Sequence, residues 1–439
     1  MMNHFLSSLT LLATLILSVP LARTTSASDQ VAEIGYSFQN GKAGGVAVAQ
    51  IDTTSGKILD SKVLFESPDC RQPLKVRQTA NQEYIVTNID ENNPSIFITG
   101  NANKLRQIEL PTIPDDVQIA DNQGLVTCDK DIIVAFDIER AKIIRSWDVG
   151  KLYRPRANGP ESIFISSDKK YAVISFQKDN KTGKERGNRL GVYELPKMIQ
   201  VADLQLPRDR KELHIEGNKK EQGPGPEVVI VSDNTLSVTL DLYGAVGFMN
   251  WQAAIGNKIK NWSAVPTSLD GQWGIAFPDR VRKIQFDTHT TLLVFNAGVD
   301  GGAVLISPKQ RRVLWKRPVP PGLERAIYLP KQRMAFSVCS GKTKTRRTSA
   351  IEKTYAPQPY LFAFDFSSSQ AFAEAPVEKI ELTDKFAIKI SRVSPGSNLL
   401  LIAVGTKAQQ PDELITYDPL KRKIIDRQPT VGILGRFEI

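Results

Sequence analysis

Short apolar runs separated by turn residues dominate the chain beyond its first 27 residues. The runs are rich in Val, Ile, Leu, Phe and Tyr, and clusters of Gly, Pro, Asn and Asp lie between them. Helical periodicity is almost absent, whereas short runs bounded by turn residues are typical of β-strands. The pattern therefore predicts an all-β protein.

One hairpin unit recurs along the chain. An apolar strand ends in a turn residue, and a long polar residue soon opens a second strand. The turn positions are Asp52, Thr99, Asp137, Glu194, Asn250, Ser307, Asp365 and Asp418. Neighbouring positions lie 38 to 58 residues apart, close to the roughly 40 to 50 residues of a propeller blade.

A second pair of strands precedes each hairpin, most clearly after Pro160 and Pro226, so that each unit holds four antiparallel strands. We predict a β-propeller of seven or eight four-stranded antiparallel blades and prefer eight. Residues 268–280 fit no blade position, which leaves seven blades open. The first unit lacks its innermost strand and residues 432–439 form a spare apolar segment. We expect this C-terminal strand to close the ring.

Two segments resemble known repeats. Residues 85–88 (Ile-Val-Thr-Asn) and 103–104 (Asn-Lys) are similar to the YVTN-type β-propeller repeat, with Ile in place of Tyr. The segments that start at Ala49 and Leu305 resemble instead the repeats of quinoprotein dehydrogenases, in which a docking Trp follows the turn, as Trp315 does here. Both families are secreted propellers of seven or eight blades, so the resemblance implies export and this architecture.

The N-terminus differs from the rest of the chain, because residues 5–22 are apolar and nearly uncharged. Small residues follow, up to Ala27, where a signal peptidase would cut. We predict a signal peptide over residues 1–27, a single propeller domain over residues 28–439, and a secreted or periplasmic location with no later membrane span. An uncleaved anchor is the alternative, since an apolar run of this length almost spans a bilayer.

Composition adds a mild positive charge and little chemistry. The net charge is +10, and loss of the signal peptide would remove one Arg and no acid. Three cysteines, Cys70, Cys128 and Cys339, are too few and too far apart for a disulfide framework or a thiolate metal cluster, although one pair could bridge. The two histidines beyond the signal peptide, His214 and His289, fall in turn or connection sequences.

An enzyme of either propeller class would need residues that the sequence does not display together. The quinoprotein resemblance implies a Trp that stacks on the cofactor, an Asp base, a calcium site and commonly adjacent cysteines. The cysteines are not adjacent, and we interpret Trp315 as a packing residue between blades. A propeller lactonase would need His, Glu or Arg around the channel. We assign no catalytic residue, no cofactor and no metal ligand, and a calcium site made only of Asp stays open.

Long polar insertions fall on one predicted face of the propeller. If the four strands of a blade are called A to D from the channel outward, and neighbouring strands run in opposite directions, the turns between B and C and the links between blades emerge on the same face. The insertions cover residues 177–189, 208–226 and 341–353. The candidate binding residues are basic and lie in the first and third insertions: Lys178, Lys181, Lys184, Arg186, Arg189, Lys342, Lys344, Arg346 and Arg347. Acidic residues occupy the same face elsewhere: Asp90, Glu91, Asp115 and Asp116.

Two interpretations of this loop-rich face compete. The insertions are either solvated loops or an electropositive rim that attracts an acidic polymer or protein at low salt. We predict an exported, non-catalytic binding or scaffold protein whose partner is a protein or an anionic polysaccharide. Nucleic acid is disfavoured, because the basic B-to-C insertions lack aromatic residues on which bases could stack. A lactonase or quinoprotein-like enzyme with its site at the central channel is the alternative.

Overall fold

The structure is a computed structural model of the 439-residue chain. It describes residues 30–100, 103–149, 158–178, 187–207, 224–286, 289–347, 350–367 and 374–437. The predicted signal peptide lies outside these ranges, as do Lys181, Lys184 and Arg186. Within the described ranges, no helix has both the length and the apolar character needed to cross a bilayer.

Eight four-stranded antiparallel sheets are arranged as the blades of a propeller. The strands of blades 1 to 4 are β1 (Val31–Asn40), β2 (Ala43–Asp52), β3 (Ile58–Ser67), β4 (Pro73–Gln78), β5 (Tyr84–Asn88), β6 (Ser95–Gly100), β7 (Asn103–Glu109), β8 (Pro114–Ala120), β9 (Gln123–Cys128), β10 (Ile132–Asp137), β11 (Lys142–Asp148), β12 (Asn158–Ile165), β13 (Tyr171–Lys178), β14 (Arg189–Glu194) and β15 (Ile199–Gln205).

The strands of blades 5 to 8 are β16 (Pro226–Ser232), β17 (Thr235–Leu240), β18 (Ala245–Asn250), β19 (Ser263–Pro266), β20 (Pro278–Phe286), β21 (His289–Asn296), β22 (Ala303–Ser307), β23 (Arg312–Arg317), β24 (Ile327–Leu329), β25 (Met334–Val338), β26 (Lys342–Arg347), β27 (Ala350–Tyr355), β28 (Tyr360–Asp365), β29 (Val377–Glu381), β30 (Phe386–Arg392), β31 (Leu400–Gly405), β32 (Glu413–Asp418) and β33 (Lys423–Pro429), and β34 (Ile433–Phe437) belongs to blade 1. A 3-10 turn (Asp241–Tyr243) and a short helix, α1 (Trp251–Ile255), lie in blade 5.

The prediction of an eight-bladed propeller is confirmed, and so are the predicted turn positions. Each of them ends the third, or C, strand of a blade, except Thr99, which lies one residue before the end of β6. Residues 268–277 form the link between blades 5 and 6. Most of the segment that left seven blades open is therefore a connection, and the expectation that it fits no blade position was wrong for residues 278–280, which begin β20 of blade 6.

The C-terminal strand closes the ring as expected. Strand β34 pairs antiparallel with β1, with Phe437 opposite Tyr36 and Leu434 opposite Phe38. All four side chains are buried in one apolar cluster. Closure joins the two ends of the described chain. It also covers β1, which would otherwise be an open edge strand on the inner side of blade 1.

Apolar side chains from facing sheets form the core between neighbouring blades. Trp315 on β23 illustrates the contact between blades 6 and 7, since its indole N–H donates to the Ala375 carbonyl at 3.0 Å. Its ring meets Phe364 and Phe366 edge to face. The interpretation of Trp315 as a packing residue is confirmed. The three cysteines are buried and unbridged.

Blade 7 carries an inserted hairpin, which corrects the expectation of a loop over residues 341–353. Strand β25 pairs directly with β28, so the blade is complete without the insertion. The insertion itself forms β26 and β27, which pair in register from Lys342 opposite Tyr355 to Arg347 opposite Ala350. Lys and Thr alternate at the start of β26, and this alternation is compatible with a two-stranded ribbon. From the sequence alone the same residues were expected to form a polar loop.

Candidate functional site

The innermost, or A, strand of most blades begins at the loop-rich face with a local irregularity. Five A strands carry a proline at or near this start: Pro73, Pro114, Pro160, Pro226 and Pro278. Register shifts interrupt the pairing of the A strand in seven of the eight blades. β-Bulges redirect side chains and often occur beside functional sites. The starts of the A strands are therefore candidate positions for a functional site.

At least one charged residue lies in or next to the start of each A strand, and one from each strand is considered first. In order from blade 1 to blade 8 these residues, here called the charge ring, are Arg436, Lys75, Asp116, Glu161, Glu227, Asp279, Glu324 and Lys389. The cationic members come from blades 8, 1 and 2, and the carboxylates from blades 3 to 7. Among these eight positions the charge is therefore polarised.

Hydroxyl groups on the second, or B, strands hold the ring in place. Thr127 Oγ1 accepts from the Asp116 N–H at 3.1 Å and donates to the Glu161 carbonyl of the next blade at 3.0 Å. Ser175 likewise donates to the Glu227 carbonyl at 2.8 Å. Ser37 accepts from the Arg436 N–H at 3.0 Å. These buried contacts satisfy backbone groups that the bulges free from the sheet.

On the side of blades 2 and 3, Asp116 pairs with two cations. Its Oδ1 lies 3.4 Å from both Lys75 Nζ and Arg77 Nη2. Burial alone would raise the pKa of Asp116, but the Lys75 and Arg77 charges outweigh it and hold the pKa below its ordinary value. Burial lowers the pKa of Lys75, and Asp116 only partly offsets this effect.

On the opposite side of the channel, Glu324 connects two blades. Its carboxylate lies 2.9 Å from Lys389 Nζ and 3.6 Å from Arg280 Nε. Burial would raise the pKa of Glu324, yet the Lys389 and Arg280 charges hold it well below the ordinary range. Arg280 also lies 2.7 Å from Asp279. The carboxyl groups of Asp116 and Glu324 are therefore ionised near neutral pH.

Lys344 of the inserted hairpin reaches the ring members of blades 5 and 6. Its Nζ lies 2.8 Å from Asp241, 2.9 Å from Asp279 and 3.1 Å from Glu227. Its side chain is 2% exposed, and its N–H donates to the Ala297 carbonyl at 2.6 Å. Burial would lower the pKa of Lys344, but the three carboxylates hold it well above its usual value. Lys344 thus anchors the hairpin across blade 6.

The candidate residues from the sequence occupy different environments. Lys344 is buried and neutralised rather than exposed on a rim, and Lys342 pairs with Asp279 at 2.7 Å. Arg189 at the start of β14 forms an ion pair with Asp203. The backbones of Lys178, Arg346 and Arg347 lie at the ends of β13 and β26 on the loop-rich face, while their side chains lie outside the described set.

Sequence reasoning missed the charge ring, although a signal was present. A proline followed within two residues by a charged residue opens the A strands of blades 2 to 6, as in Pro-Leu-Lys at Pro73 and Pro-Asp-Arg at Pro278. From the sequence alone, the Pro-Glu pairs at Pro160 and Pro226 only mark the start of a repeated strand pair. Their convergence on one channel requires the closed ring, which no single repeat specifies.

Other features of catalytic sites are distributed differently. His289 begins β21, in the A-to-B turn on the face opposite the insertions, and its ring centroid lies 6.1 Å from that of Phe286. In the described ranges, no three His, Cys, Asp or Glu side chains are grouped in a way that could hold a metal ion. The chemistry that the described channel offers is electrostatic.

No protein-family model and no curated protein matches the chain. Solved structures of similar fold include dihydro-heme d1 dehydrogenase NirN in complex with DHE, with a TM-score of 0.62 and 10% identity over 91% of this chain and 74% of that one. Apo AztD from Citrobacter koseri gives 0.55 and 13% identity over 93% and 97%. A putative 6-phosphogluconolactonase from Bacteroides fragilis gives 0.51 and 11% over 81% and 96%. Such low identities establish the propeller fold alone.

Proposed function

We propose that this protein is an exported, non-catalytic binding protein that uses its loop-rich face to bind an acidic protein or an anionic polymer. The inserted hairpin of blade 7 is the observation that carries the proposal. It contributes nothing to the pairing of its own blade, yet Lys344 ties it to two other blades. An anchored projection of this kind suits partner recognition better than a solvated loop does.

The hairpin carries two cations that carboxylates neutralise and three further cations. Lys342 and Lys344 are neutralised by carboxylates of blades 5 and 6. Arg346 and Arg347 follow at the far end of β26, and Lys353 on β27 is exposed. The cationic character of the hairpin beyond its anchor supports an acidic partner.

Export is part of the same proposal, and it rests on the apolar run of residues 5–22. N-terminal sequencing of the mature protein would check it, because cleavage near Ala27 leaves a chain that starts close to Ser28. A start at Met1 in the mature protein would contradict the export step and leave the binding test below unaffected.

The enzymatic alternative receives one specific observation, which is the convergence of carboxylates and cations on the channel. The pKa values of those carboxylates favour binding over catalysis, because a carboxylate that acts as a general base needs a pKa near the working pH. The pKa values of Asp116, Asp279 and Glu324 are instead all lowered. Lactone hydrolysis by the full chain that Glu324→Gln abolishes would overturn this preference.

The test is retention of the full chain on a heparin column in a salt gradient. We expect the double variant Arg346→Glu with Arg347→Glu to elute at lower salt than the parent, because two cations are reversed on the projecting end of the hairpin. The matched control reverses Lys142 and Lys423, which are exposed on the outer strands of blades 3 and 8. Equal elution of the two double variants would refute the role of the hairpin.

A further inference from the structure

Three arginines of the channel lack the carboxylate partners that the other channel charges have. Arg282 lies on β20, Arg325 lies two residues before β24, and Arg436 lies on β34. Among the described residues, no carboxylate forms an ion pair with any of the three guanidinium groups, and Arg282 Nε is buried without a hydrogen-bond acceptor. Arg280 provides the contrast, because it contacts both Asp279 and Glu324.

Arg325 lies within electrostatic range of Arg282 and of further cations across the channel. Burial, and then the charges of Arg282, Arg77 and Arg280, lower the pKa of Arg325 to about 9. Arg77 belongs to blade 2, on the other side of the ring from blade 7. Burial and the Arg280 charge also lower the pKa of Arg436, and the charges of Glu324, Asp116 and Asp279 partly offset this effect. The blades therefore direct like charges toward a shared space.

An array of partly buried like charges is unfavourable unless an anion neutralises it. Guanidinium groups match the geometry of carboxylate and phosphate oxygens, to which they donate paired hydrogen bonds. We propose that Arg282, Arg325 and Arg436 bind a small oxyanion compound with two or more negative charges, carried by phosphate or carboxylate groups. This site lies inside the channel and goes beyond the proposed docking of a partner on the hairpin.

The charge balance and the dimensions restrict the ligand. Among the described residues, no carboxylate lies within ion-pair distance of the three guanidinium groups, so a ligand with two or more negative charges would compensate them better than a monovalent anion would. Side chains of blades 2 and 7 act on each other across the channel, which favours a compact ligand over a polymer chain. The anchored hairpin above blades 5 and 6 covers part of the same mouth.

The experiment is calorimetric titration of the full chain with two probes, inorganic pyrophosphate and citrate, at constant ionic strength set with sodium chloride. We expect saturable binding of at least one probe and a rise in melting temperature with that probe. Pyrophosphate alone would indicate a phosphate-bearing ligand, and citrate alone a polycarboxylate. Failure of both probes to bind above the chloride background would overturn the proposal.

Variants separate binding from a structural role. Arg325→Gln and Arg282→Gln should each weaken binding about tenfold or more, the size expected for losing a hydrogen bond to a charged group. Without ligand they should melt at the same temperature as the parent or higher, because a repelled charge is removed. The matched control is Arg312→Gln. Arg312 is exposed and lies on β23, in the same blade as Arg282.

A structural role predicts the opposite pattern. If Arg325→Gln melts at a lower temperature than the parent and binds the probe equally well, the arginine supports the fold and the proposal fails. Arg325→Lys retains the charge and should keep weaker binding, because a lysine lacks the fork geometry. The hairpin variants at Arg346 and Arg347 should bind both probes normally, so this result is independent of the heparin test.

Discussion

Replacement of Lys344 by alanine removes the cation that three buried carboxylates share. The side chains of Asp241, Asp279 and Glu227 are 0%, 4% and 13% exposed. Asp279 keeps Lys342 and Arg280 after the replacement, whereas Asp241 and Glu227 lose the ion pair that they form with Lys344. Removing one partner of a buried ion pair typically costs about 3 to 5 kcal/mol, so we expect Lys344→Ala to lower the free energy of unfolding by that amount at pH 7.

The chain provides a control at the same level of the hairpin. Lys353 lies directly opposite Lys344 in the register of β26 and β27 and is exposed. Lys353→Ala should change the free energy of unfolding by at most about 0.5 kcal/mol, as for ordinary surface positions. Urea unfolding of the parent and both variants, followed by intrinsic fluorescence, measures the difference.

The sign of the pH dependence follows from the two kinds of group. The pKa of Lys344 is raised above its ordinary 10.5, so its contribution is complete below pH 10.5 and is lost as pH rises through the folded-state value. The pKa of Asp279 is lowered below 3.8, so its contribution is present above that pH and is lost as pH falls. The gap between parent and Lys344→Ala should be constant near neutral pH and should narrow in acid. Equal stability of the Lys344 and Lys353 variants at pH 7 would refute the anchor.

Two further predictions concern ring closure and the thiols. Deletion of residues 432–439 should lower the melting temperature sharply, and Phe437→Ala alone should cost about 3 to 5 kcal/mol, as for other buried Phe-to-Ala changes; an unchanged melting temperature of the truncated chain would contradict closure. Burial raises the pKa of Cys70 and of Cys339 to about 12 and also raises that of Cys128, so none should react with Ellman's reagent at pH 7.5 until urea unfolds the protein.

The blade pattern could be predicted from the sequence because it depends on local chemistry. An apolar strand, a turn residue such as Asp137 or Asp365 and a polar opening of the next strand are neighbours along the chain. The sequence of each copy therefore predicts its own two strands, and the number of copies predicts the number of blades. The closing strand was predictable for the same reason, since the first unit lacked a strand and the C-terminus had one to spare.

The site was not predictable in this way, because its members are distant in sequence. Lys344 was assigned to an exposed basic rim, as its neighbours Lys342, Arg346 and Arg347 suggest a solvated loop. Its partners Glu227 and Asp241 belong to another blade, more than a hundred positions earlier. Nothing local to residues 341–353 indicates that these carboxylates lie within reach.

The sequence by itself determined the β-strands, their grouping into blades and the ring closure, because these follow from alternation, turn chemistry and strand count. Only the tertiary structure decided which charges meet. The starts of the A strands, most of them bulged, bring charged residues of all eight blades toward a common axis, and a closed ring brings blades 2 and 7 within electrostatic range. Electrostatic interactions depend on distance in space and on burial, and both arise only when all eight blades are assembled.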